Sequence, residues 1–92
     1  MGKRENKVET YLNEQVELIG GITRKWVSPG RAGVTDRIVI VRGSVRFVEV
    51  KTRDGVLKPH QDREHNRLRK AGANVTTVYG HAGVDEFIER IR

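Results

Sequence analysis

Val45-Arg46-Phe47-Val48-Glu49-Val50-Lys51-Thr52 is the stretch on which the fold class turns. A β-branched run of this length, bounded by turn-forming residues, reads as a strand. Strand alternation then puts Val45, Phe47, Glu49 and Lys51 on one face, so a carboxylate and an ammonium stand two residues apart on one surface. Burying ionised groups is costly unless they are paired or bind a metal, so Glu49-Val50-Lys51 in an apolar strand points to function.

Working outward, Thr35 to Val41 (TDRIVIV) is a second β-branched run, joined to the first through Arg42-Gly43-Ser44. A hairpin is the natural connection, and its pairing brings Asp36, ahead of Ile38 and Ile40, toward Glu49 at the end of the sheet. Both runs are apolar on both faces, which predicts central strands covered on each side. Ile22 to Val27 reads as a further strand, followed by a loop over Ser28-Pro29-Gly30-Arg31-Ala32-Gly33. Upstream, Val8, Tyr11, Leu12, Val16 and Ile19 form one stripe of an amphipathic helix from Glu5 to Ile19, ended by Gly20-Gly21. Glu9 lies at the margin of that stripe.

Downstream of the turn at Arg53-Asp54-Gly55, Pro59 suits the first turn of a strongly polar helix through about Lys70, closed by Gly72. Its inward stripe is Leu68 and Ala71 with the flanks of His65 and Gln61. Asn74 to Tyr79 reads as a fourth strand, and Val84, Phe87, Ile88 and Ile91 mark a final helix. The order αβββαβα defines an α/β domain spanning residues 1–92.

Composition agrees. At 92 residues the chain has room for one core, and thirteen Val and six Ile against four Leu make it β-rich. The absence of cysteine removes disulfides, thiolate metal sites and cysteine nucleophiles. No apolar run reaches the length of a membrane span, and MGKRENKVET lacks the middle of a signal peptide, so a soluble, cytoplasmic protein without membrane partners is expected. Eighteen Lys and Arg against twelve Asp and Glu give a net charge of +6, and twelve of the cations are Arg, whose planar fork suits phosphate. Nucleic acid is the expected partner.

Two converging carboxylates repel and raise the pKa of one of them, whereas a divalent cation between them removes that penalty. Oxygen ligands favour Mg²⁺ or Mn²⁺, which use few protein carboxylates and leave room for phosphate. Asp36 and Glu49 are the candidate ligands, with the Val50 carbonyl as a third and Lys51 beside the attacking water. The implied reaction is metal-assisted phosphodiester hydrolysis.

These residues resemble the PD-(D/E)XK nucleases, and more narrowly their virus-type replication-repair branch, VRR-NUC. The likeness is carried by Glu9 on the first helix, Gly33-Val34-Thr35-Asp36, Glu49-Val50-Lys51, and Gln61 at the start of the next helix. Thr35 stands where the family usually has proline. The resemblance covers nearly the whole chain and implies a restriction-endonuclease-like αβββαβ(α) core, a four-stranded mixed sheet flanked by helices. It implies that Asp36, Glu49 and the Val50 carbonyl hold the metal, that Lys51 assists the water, and that Glu9 and Gln61 support the metal or orient its ligands. It further implies a Mg²⁺- or Mn²⁺-dependent DNA endonuclease, selective for structure and resolvase-like on four-way (Holliday) junctions. Small free-standing relatives of viral or mobile-element type are usually homodimers.

Against this stand plainer readings. Asp36 and Glu49 also suit a structural ion-pair network with Lys51 and Arg37, Glu9 a solvated helix residue, and Gln61 a helix-end partner. That set would leave a nucleic-acid-binding module without catalysis; flaps or nicks are alternative nuclease substrates. His60, Glu64 and His65 do not form a zinc motif. Arg31, Arg37, Arg53, Lys58 and His65 are the candidate nucleic-acid contacts, drawn from a larger basic pool that includes Arg63, Arg67, Arg69 and Lys70.

Overall fold

Val8, Leu12 and Val16 recur every four residues, so one stripe of the first helix is continuously apolar, and all three are buried. The computed structural model describes residues 3–92, with side chains from Asn6 onward. In it α1 spans Lys3–Leu18 and ends in a Schellman arrangement, with the Gly21 N–H donating to the Val16 carbonyl at 2.9 Å and the Gly20 N–H to that of Glu17 at 3.0 Å.

The strands are β1 (Ile22–Lys25), β2 (Arg37–Val41), β3 (Ser44–Lys51) and β4 (Val75–Tyr79), in sheet order β1-β2-β3-β4. The first two pairings are antiparallel and β3 with β4 is parallel, so the sheet is mixed. A parallel pair needs a crossover, and α2 (Pro59–Lys70) supplies it; α3 (Gly80–Ile91) follows β4. The order αβββαβα is the expected one. The hairpin is tighter than the sequence suggests: Val41 pairs with Ser44, leaving a two-residue turn of Arg42 and Gly43 at φ +52° and +80°. Positive φ at both central positions gives a turn whose twist matches that of its strands.

One face of the sheet carries the core. Val39 and Val41 of β2, Val48 and Val50 of β3, and Val78 of β4 meet Val8, Leu12 and Val16 of α1 and Val84, Phe87, Ile88 and Ile91 of α3. The other face corrects the expectation of strands covered on both sides. α2 is short and packs on β4, and nothing in the described residues covers the hairpin end of β1, β2 and β3. Ile22, Ile40 and Val45, aligned across three strands by register, are 47%, 39% and 48% exposed. α2 also differs at its edges: Ala71 is its exposed C-cap and not part of the inward stripe, while Glu64 is buried beside His65. No helix of the described residues is long and apolar enough to cross a membrane.

Candidate active site

β2 begins at Arg37, opposite Val48, one residue after Asp36. Continued pairing would set Asp36 opposite Glu49; instead the Asp36 side chain takes over from the ladder, and its Oδ2 accepts the Val50 main-chain N–H at 2.7 Å. The carboxylate is thereby fixed at the end of the sheet, close enough to Glu49 to repel it. The loop that delivers it depends on Gly33. Its φ is +89°, and a Cβ there would lie 2.9 Å from the His60 carbonyl oxygen and 3.3 Å from the Gln61 Cα. Only glycine lets the loop approach the first turn of α2 so closely.

That turn carries Gln61, which joins the strand residues to the helix. Its Oε1 accepts from Lys51 Nζ at 3.0 Å and from the Lys58 main-chain N–H at 2.9 Å, while its Nε2 donates to Glu49 Oε2 at 3.3 Å. The reverse amide orientation would set donors against an ammonium and an N–H, so the network itself fixes which end is oxygen. Lys51 Nζ lies 3.6 Å from the same Glu49 oxygen. Glu49 and Lys51 are both buried.

The remaining Glu49 oxygen, Oε1, is buried and accepts no hydrogen bond; its neighbour is His65 Nε2 at 3.5 Å. Burial first, and then the Asp36 charge, push the Glu49 carboxyl up to about 8, against the lowering pull of Lys51. His65 is held below its ordinary value by burial and by the Arg69 charge, which favours the neutral ring. An unpaired buried carboxylate oxygen beside a second carboxylate is costly as it stands and matches the donor chemistry of a hard divalent cation. Among the described residues no group of three or more His, Asp or Glu side chains converges for a metal, and Asp36 and Glu49 are the two carboxylates that meet at this end of the sheet.

The structure thus brings together Asp36, Glu49, Val50, Lys51 and Gln61. It does not bring Glu9 to them. α1 packs on the Val48 and Val50 face, whereas Glu49 projects from the opposite one. Glu9 Oε2 instead meets Arg37 Nη1 at 3.1 Å and Lys25 Nζ at 3.8 Å, and Arg37 Nη2 donates to Thr23 Oγ1 at 2.7 Å. The structure thus places Glu9 against Arg37 and apart from the carboxylate pair, because α1 and that pair lie on different faces of the sheet. Two candidate nucleic-acid contacts are engaged inside the protein. Arg37 is committed to this network, and His65 is fully buried against Glu49. Arg31, Arg53 and Lys58 are exposed, with Lys58 next to the Gln61 knot. Thr77, in register with Glu49 on β4, has a buried hydroxyl without a partner. Cross-strand pairing alone brings it there, and no spacing in the chain signals it.

No protein-family model matches the sequence. "Putative nuclease p44" of Acyrthosiphon pisum secondary endosymbiont phage 1 is 47% identical over 76 residues, which cover 82% of each chain. A solved structure described as "VRR_NUC domain" superposes with a TM-score of 0.88 at 40% identity, over 99% of this chain and 100% of that one. With this fold, and with Asp36, Glu49-Val50-Lys51 and Gln61 gathered at one end of its sheet, the chain belongs to the VRR-NUC family of nuclease domains.

Proposed function

We propose that the protein is a divalent-metal-dependent DNA endonuclease selective for branched DNA, with four-way junctions as the preferred substrate. The observation that carries this reading is the carboxylate pair Asp36 and Glu49, with Lys51 and Gln61 locked against it in a nuclease fold. Asp36, Glu49 and the Val50 carbonyl would hold Mg²⁺ or Mn²⁺, which supplies positive charge against the phosphodiester and lowers the pKa of water. Lys51 sets its amine beside the carboxylates, where it orients the attacking water and stabilises charge developing on phosphate. Gln61 holds Lys51 and Glu49 in mutual register, and His65 walls the far side of Glu49. Glu9 acts at one remove, through Arg37, on the start of the strand that follows Asp36. In the reaction a water oxygen bonds to phosphorus, one bridging P–O bond breaks, and the departing oxygen leaves with a proton.

Selectivity for DNA shape follows from size, since so small a domain offers little surface for reading bases. Exposed Arg31, Arg53 and Lys58 are phosphate contacts in this reading. A homodimer working in the cytoplasm belongs to it too, because paired symmetric nicks need two sites related by a two-fold axis. The exposed row of Ile22, Ile40 and Val45 supports this, lying on the face of β3 from which Glu49 and Lys51 project.

The test is cleavage of a synthetic four-way junction beside flap, nicked, linear duplex and single-stranded DNA, with Mg²⁺, Mn²⁺ or EDTA. Metal-dependent cutting of the junction, lost in Asp36→Ala, is expected. Preferential cutting of flaps or nicks would reassign the substrate. Junction binding without cutting under either metal would overturn the enzyme reading in favour of a binding module.

A further inference from the structure

We infer that the outer face of α2 is a second DNA-backbone surface, which holds an arm of a branched substrate other than the one at the carboxylate pair. The inference rests on the reading of the protein as acting on branched DNA.

Arg63, Arg67 and Lys70 recur at i, i+4 and i+7, so they form one stripe along α2. At 100° per residue this stripe points about 160° away from the Gln61, His65 and Leu68 face that packs on the sheet. Together with Asn66 these three cations line an open cleft of about 220 Å³. The cleft is built at one point: Glu64, buried beneath the helix, pairs through Oε1 with Arg67 Nη1 at 3.0 Å. This sets the direction of an exposed guanidinium. Among the described residues Arg63 and Lys70 pair with no carboxylate, and both are exposed. Three cations on one exposed face, on a chain of net charge +6, match a polyanion.

The stripe lies across the roughly 10 Å diameter of α2 from Gln61. A straight duplex seated at Asp36 and Glu49 would have to bend around the helix to reach it. Two arms diverging from a branch point can pass on opposite sides. The contact is with phosphates, so it adds affinity for branched shape without adding sequence preference.

The test is binding in EDTA by the full chain, to a four-way junction and to a linear duplex of equal length, over a series of salt concentrations. Arg63→Gln/Lys70→Gln leaves Arg67 with Glu64, so the buried carboxylate keeps its partner and the fold is retained. The double variant is expected to bind the junction about tenfold more weakly near 0.1 M salt, with a log–log salt slope reduced by about two. Its duplex affinity is expected to stay within about twofold, and Arg63→Glu/Lys70→Glu to deepen the junction-specific loss. Unchanged junction affinity and slope would overturn the inference, as would an equal loss on duplex and junction. Cleavage by the wild type is a separate readout. If it cuts DNA while the stripe variants bind normally, only the second surface fails. If it cuts nothing while they lose the junction, only the enzyme reading fails.

Discussion

Asp36 Oδ2 accepts the main-chain N–H of Val50 at 2.7 Å, a side chain completing the ladder one residue before β2 begins. The bond fixes one carboxylate at the residue that follows the other, Glu49. Asp36→Asn keeps an acceptor for Val50 and removes the charge, whereas Asp36→Ala also orphans a buried N–H. Cleavage of DNA is expected to fall at least about 100-fold in both, in line with loss of a metal ligand or its support. Asp36→Ala is expected to be less stable than Asp36→Asn by about 1–3 kcal/mol, as measured by denaturant unfolding. Substantial cleavage by Asp36→Asn would remove Asp36 from the metal site.

The raised carboxyl of Glu49 makes stability depend on pH. Its folded value of about 8 lies above the ordinary 4.5, so the native state binds this proton more tightly than the unfolded chain. Its contribution is complete below about pH 4.5, declines as pH rises, and is gone above about 8, at roughly 1.4 kcal/mol per pH unit at most. Chemical unfolding of metal-free protein between pH 5 and 8.5 should show this fall, and Glu49→Gln should flatten it. Mg²⁺ or Mn²⁺ should also flatten it, by favouring the ionised form. An identical pH slope in wild type and Glu49→Gln would show that Glu49 titrates normally.

Lys51 and Gln61 act as one unit, since the Gln61 amide oxygen holds the ammonium at 3.0 Å while its nitrogen holds Glu49. Lys51→Ala is expected to abolish measurable cleavage in a folded protein, and Gln61→Ala to reduce it about 10- to 100-fold. In the double variant the losses should fall short of multiplying, because Gln61 has no ammonium left to position. Fully multiplicative losses in cleavage rates would separate the two roles.

Gly33 combines φ +89° with a close approach to the His60 carbonyl, so Gly33→Ala strains the loop and pushes on the first turn of α2. A loss of about 1–3 kcal/mol is expected, together with a drop in cleavage as Gln61 shifts. Thermal unfolding and cleavage rates measure both. Wild-type stability in Gly33→Ala would mean that the loop does not need this contact.

Ile40 sits at the centre of the exposed row between Ile22 and Val45. In a homodimer formed through this face, Ile40→Glu places two charges in an apolar interface. Sedimentation should then report a monomer, with thermal stability as a check on folding. An unchanged dimer would move the interface elsewhere.

How far these features are legible in the sequence differs by element. Helical spacing of Val8, Leu12 and Val16, the β-branched runs on either side of Arg42-Gly43, and the Pro59 and Gly72 boundaries of α2 are local signals, and each element formed where they point. Glu49 and Lys51 announced themselves because charge is expensive in a strand, and Asp36 because it opens the run that pairs beside them. The Gly and Pro content of Ser28 to Gly33 marks a loop, whereas the approach of Gly33 to His60 that requires glycine there is a tertiary contact.

What only the tertiary structure decided is which charged group meets which. Glu9 and Asp36 are both acidic residues of the motif, yet the sheet separates Glu9 from Glu49, and Arg37 takes it instead. His65 and Lys58 are both cation-forming residues of the α2 region, yet His65 is sealed against Glu49 and Lys58 is exposed. Glu64 looks in sequence like solvated charge and is buried, bracing Arg67. The physical reason is range: backbone propensity and hydrophobic periodicity act over a few neighbouring residues and are written along the chain. Ion pairing depends on distances of a few ångström between residues far apart in sequence, which exist only once the sheet register and helix packing are set.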